Sequence, residues 1–121
     1  MIAVIFEVEP KEEHRDDYFN EAAYLKPFLG TIDGFISIER FQSLVHPQKI
    51  LSLSFWRDEA AVTAWRSLEV HRAAQDKGRK IIFDHYRLRV ADVLRDYGMD
   101  KREQAPKDSR VLHDNAISNH V

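Results

Sequence analysis

The segment DGFISIERFQSLVHPQKILSLSFW, Asp33 to Trp56, sets the topology of the chain. Asp33-Gly34 is turn chemistry, because Gly34 is free to take a positive φ. Two β-rich runs follow, Phe35–Leu44 and Lys49–Trp56. The Val45-His46-Pro47-Gln48 stretch between them reads as a hairpin connection. In the second run Leu51, Leu53 and Phe55 alternate with Ser52 and Ser54, so one face is apolar and the other small and polar.

Outward from the hairpin, each flank supplies one more strand and one more helix. Upstream, Ile2–Glu9 predicts a strand with Ile2, Val4, Phe6 and Val8 on one face, ended by Pro10. Lys11–Leu29 predicts a helix, with Tyr18, Ala22, Leu25 and Leu29 in one stripe and Pro27 kinking or ending it near Lys26. Downstream, Asp58 is the expected N-cap of a helix running through Trp65. A break is expected near Ser67, after which Val70, Ala74, Lys77 and Ile81 resume helical spacing. The last strand, Phe83–Leu94, sets Tyr86, Leu88 and Val90 against His85, Arg87 and Arg89. The order β-α-β-β-α-β predicts a ferredoxin-like α+β fold, a four-stranded antiparallel sheet with the helices on one face. Large apolar residues fall on both sheet faces, and a second copy stacked on the far face is the simplest cover. One domain is expected over 1–97. Residues 98–121 form a polar tail, either mobile or wrapping the partner subunit through Val111 and Leu112.

The chain has 121 residues, and 18 Lys and Arg stand against 20 Asp and Glu. That balance argues against nucleic acid as a partner, which needs a concentrated basic surface. No Cys is present, which excludes thiolate sites and disulfides. No apolar run approaches a membrane span, and the cytoplasm is the expected compartment. There is no GxGxxG, phosphate-binding GKS or GKT loop, GxSxG or HExxH, and none of the six histidines is paired at HxH or HxxxH spacing. No metal and no cofactor is therefore expected. What remains is the stretch around the helix break, where Trp65, Ser67, His71 and Gln75 cluster. His71 and Gln75 share a helix side, and Gly78 continues that side without a side chain.

"DGFISIERF" (33–41), "LSFWRDEAAVTAW" (53–65) and "SLEVHRAAQ" (67–75), together with the strand order, resemble the antibiotic biosynthesis monooxygenase family. The resemblance covers 1 to about 97 and implies the dimeric α+β barrel architecture. It implies oxygenation without a cofactor, on a small phenolic, quinol or polyketide-like substrate. Such a substrate loses a proton, and its anion reduces O₂ directly. The protein then needs a dry pocket, a proton acceptor and hydrogen-bond donors. On that reading His71 is the base and Trp65 a pocket wall, both catalytic, while Gln75, Ser54 and Trp56 bind substrate. The haem-degrading branch of the family places Asn on the first strand and Trp and His on the second helix. The corresponding positions here are Glu7, Trp65 and Gln75, so the axial ligand is missing unless His71 replaces it. The competing reading is a non-catalytic homodimeric module whose cleft binds a small apolar or aromatic ligand, and that module has no need of an imidazole in the cleft.

Overall fold

The computed structural model describes residues 1–112. β1 (Ile2–Pro10) leads through a 3₁₀ turn (Glu12–His14) into α1 (Arg15–Leu29), and the hairpin β2 (Phe35–Gln42) and β3 (Ile50–Trp56) follows. Then come α2 (Glu59–Ser67), α3 (Glu69–Lys77), a π turn (Gly78–Ile82) and β4 (Phe83–Asp92). The strands form one antiparallel sheet in the order β2-β3-β1-β4, the expected ferredoxin-like arrangement.

The register fixes which residues face the helices. Val8 pairs with Ile50, Phe6 with Ser52, Val4 with Ser54 and Ile2 with Trp56. On the other side of β1, Val8, Phe6 and Val4 pair with Tyr86, Leu88 and Val90. Directly paired residues share a face, so the small polar face of β3 lies beneath the helices. Leu51, Leu53 and Phe55 point to the far side with Ile5, Glu7 and Phe41. Two clusters anchor the helix layer. Tyr18 packs with Val8, Ile50 and Ile82, and Leu29 packs with Trp56 and Ala61. Between these anchors α1 carries the buried Ala22, and Ser52 and Ser54 are buried on the sheet.

Several boundaries depart from expectation for local reasons. Pro27 lies inside α1, which runs on to Leu29; a proline in the last turn forfeits one hydrogen bond, and the buried Leu29 holds the end down. β2 stops at Gln42 and β3 starts at Ile50, leaving Leu44 almost fully exposed. The longer connection is held by Gln42 Nε2 donating to the Pro47 carbonyl (2.7 Å) and by the His46 N–H donating to Ser43 Oγ (3.0 Å). β4 ends at Asp92, where the Val93 N–H makes a last bond to the Met1 carbonyl. The buried stripe after α3 is Gly78 and Ile82, with Ile81 half exposed, because the wider π turn displaces the expected Lys77 and Ile81 positions.

Two glycines are dictated by geometry. Gly34 has φ +95°, and a Cβ there would lie 2.8 Å from the Ala61 Cβ, so it is both the turn residue and the seat of α2. At Gly78 a Cβ would meet the Phe83 ring at 2.5 Å, so the gap expected beside His71 is filled by Phe83. Beyond β4, the Gly98 N–H bonds to the Lys101 carbonyl, Ala105 is buried and residues 107–112 are helical. The rest of the expected tail, 113–121, lies outside the described residues. Among those described, no helix is long and apolar enough to cross a membrane, and no group of His, Asp or Glu is placed to hold a metal.

Candidate functional site

The second helix is cut by a single residue. Asp58 caps α2, its Oδ1 accepting the Ala61 N–H at 2.9 Å, and the helix runs to Ser67. Leu68 then takes an extended conformation (φ −63°, ψ 136°) before α3 begins. On a continuous α-helix, positions six apart point about 240° away from each other. Here Trp65 and His71, six apart, stack with centroids 4.5 Å apart and planes at 28°. The break at Leu68 is what brings the imidazole onto the indole.

The stack continues inward. Trp65 lies 6.4 Å from Trp56 at 30°, and the edge of Phe35 meets Trp56 at 5.2 Å. Trp56 is 1% exposed and its Nε1 donates to Ser54 Oγ at 2.9 Å. Ser54 and Trp56 therefore stand behind Trp65, in its support, and Trp56 is sealed from solvent. Gln75 is exposed on α3, one turn beyond His71. Ser52 is buried beneath α1.

His71 Nδ1 is fully enclosed and has no hydrogen-bond partner; it is the one such side-chain atom among the described residues. An enclosed polar atom without a partner costs about 1–3 kcal/mol. Burial pushes the imidazole pKa below its ordinary 6.5, the Arg66 backbone acting in the opposite direction. No side-chain charge contributes to that shift. The ring is accordingly neutral at pH 7 and able to accept a proton.

Opposite this wall the sheet is incompletely covered. α2 meets β3 and the π turn meets β4, so the broken helix touches the sheet chiefly at its two ends. Tyr86, Leu88 and Val90 stand on the helix side of β4, each about half exposed (46, 50 and 48%). With Val4 and Phe6 they form an apolar shelf on that face of the sheet. A separate open concavity lies along 96–104 and includes Tyr97, Met99 and Gln104; it shares no residue with the stack. The alternation along β4 is readable in sequence, but the lack of a helix above it is not. Glu7, the first-strand position of the haem-degrading comparison, lies on the far sheet face, 3.6 Å from Arg89. It does not face Trp65, because even-numbered residues of β1 face the helices.

The α+β sandwich thus presents two features that small-molecule sites share, a Trp–His stack on the broken helix and a half-exposed apolar shelf on the sheet. The chain belongs to the antibiotic biosynthesis monooxygenase family, whose profile matches residues 1–77. It is 48% identical over 93 residues to the jasmonate monooxygenase ABM of Pyricularia oryzae, covering 77% of this chain and 43% of that protein. The chain thus spans less than half the length of that relative. It is 30% identical over 93 residues to the uncharacterized protein YqjZ of Bacillus subtilis, covering 77% of this chain and 79% of that one. Rv0793 of Mycobacterium tuberculosis superposes with TM-score 0.72 at 14% identity, over 80% of this chain and 98% of that chain. The last comparison speaks to the fold alone.

Proposed function

We propose that this chain is a monooxygenase that inserts one atom of O₂ into a small phenolic, quinol or related enolisable substrate, with no cofactor, in the cleft between α2–α3 and the β1–β4 half of the sheet. The observation that carries this reading is the His71 imidazole stacked on Trp65, with burial holding its pKa below the ordinary value. Family membership and the monooxygenase name of the Pyricularia oryzae relative support the reaction class.

In this reaction His71 takes the hydroxyl proton of the substrate. The anion gives one electron to O₂, and the substrate radical and superoxide combine into a peroxide. Collapse of the peroxide breaks its O–O bond and the C–H bond at the attacked carbon: one oxygen stays as a new carbonyl, and the other departs as water with that hydrogen and the proton returned by His71. A phenol and O₂ thus give a quinone and H₂O. Trp65 and the shelf keep bulk water from the anion, and the depressed pKa keeps the imidazole in the proton-accepting form. Oxygen uptake by metal-free protein with a panel of hydroquinones and naphthols tests this. Turnover that disappears in His71→Ala supports the assignment, and full turnover in that variant removes it. Titration with hemin serves as the counter-test, since a Soret shift would put the haem branch in its place.

We also infer that the far sheet face packs on a second copy. Ile5, Leu51, Leu53, Phe55 and Phe41 make that face apolar, and an apolar sheet face needs a cover. Sedimentation should give twice the 14.2 kDa chain mass, and Leu53→Asp should give the single chain.

A further inference from the structure

We infer that Ser54 is a positioning residue for His71, acting through the Trp56 and Trp65 rings; this rests on the reading of His71 as the base. A serine between Ile50 and Trp56 on the covered face of a central strand goes against strand preference, which favours β-branched residues there. Ser54 has an explanation in the 2.9 Å bond that it accepts from Trp56 Nε1, with serine and tryptophan both buried. That bond is the one side-chain hydrogen bond in the stack, and it fixes the rotation of the Trp56 ring. Phe35 closes the other side of that ring at 5.2 Å, so the indole cannot turn without losing both contacts. The plane of Trp56 then sets that of Trp65 at 30°, and Trp65 sets the imidazole at 28°. Three rings in contact pass one orientation along, from a hydroxyl on β3 to the enclosed Nδ1 on α3.

Without the Ser54 hydroxyl the Trp56 N–H is left buried and unpaired, and the indole must rotate to find water or a carbonyl. Trp65 follows, and the imidazole loses its seat. The charged groups nearest in sequence to His71, Arg66, Glu69 and Arg72, are exposed, so the expected change is one of ring placement and not of charge.

The test is proton NMR of the resting protein, following the His71 Hε1 resonance with pH in Ser54→Ala, Ser54→Thr, Trp56→Phe and Ser52→Ala. Ser54→Ala and Trp56→Phe should displace the resonance and bring its titration midpoint toward 6.5, the ordinary value. Ser54→Thr should restore both, and Ser52→Ala should leave both unchanged. With a hydroquinone probe, Ser54→Ala should lower kcat by about tenfold at unchanged KM, as misplacement of a reacting group does. Trp56→Phe supplies the same reading if the alanine variant does not fold. An Hε1 titration in Ser54→Ala that coincides with that of Ser52→Ala overturns the inference. The NMR needs no turnover, so its failure is distinguishable from failure of the base assignment, which His71→Ala decides.

Discussion

The two halves of the helix layer are built from similar sequence patterns and do different things. α1 seals its half of the sheet through Tyr18, Ala22 and Leu29, all buried. The broken helix covers the other half with a single buried residue in α2, Ala61, and none in α3. On the open side Tyr86, Leu88 and Val90 are left half exposed, and His71 carries an unpaired nitrogen. On the proposed reading the first half supplies stability and the second the cleft, so substitutions in the two should separate folding from activity.

The largest effect is expected on the open side. His71→Ala should reduce kcat/KM by about 10²–10⁴-fold, the usual contribution of a general base. Its thermal midpoint should hardly move, since the enclosed Nδ1 is itself a cost; a steep drop would mean that His71 is a packing residue. The sealed side should show the reverse. Leu29→Ala should cost about 3 kcal/mol in chemical denaturation, from lost burial and the cavity left against Trp56 and Ala61. Activity measured well below its midpoint should persist. Gly78→Ala lies where the two halves meet. Its methyl group would sit 2.5 Å from the Phe83 ring, and displacing that ring should cost about 1–3 kcal/mol. Should that variant prove as stable as the parent, the π turn is looser than its packing indicates.

The smallest effect is on pH dependence. The folded chain resists protonating His71, while the unfolded chain titrates near 6.5. The contribution of this group to stability is therefore whole above 6.5, and it declines as pH falls from there toward the lower folded pKa. Activity should persist lower, until pH nears that folded pKa, and His71→Ala should flatten the stability change between pH 7 and 5. An unaltered profile in that variant would assign the change to another group.

The elements were largely legible in the sequence because their periodicities are clean. The alternation of Leu51, Ser52, Leu53, Ser54 and Phe55 gave the strand and its two faces, and Asp58 gave the start of α2. The helix break was visible near Ser67 and falls at Leu68. Which face of β3 meets the helices was not visible, since an apolar face ordinarily goes inward. Here the face with Ser52 and Ser54 does, and the apolar face lies opposite. The association of Trp65 with His71 was visible only as nearness in sequence. The stack depends on the dihedral angles of one residue between them. Gly78 read as an empty place beside the imidazole, whereas the ring of Phe83, five residues on, occupies it. Ser54 and Trp56 read as ligand contacts, and the bond between them, with both buried, was not visible in the sequence.

That single extended residue at Leu68 opposes local order to chemistry. Alanine at that position, or a cosolvent such as trifluoroethanol, would favour one uninterrupted rod from Glu59 to Lys77. Straightening would swing the imidazole to another side of that rod, away from the indole. The segment works because it is an imperfect helix, and changes chosen to regularise it would make it inert.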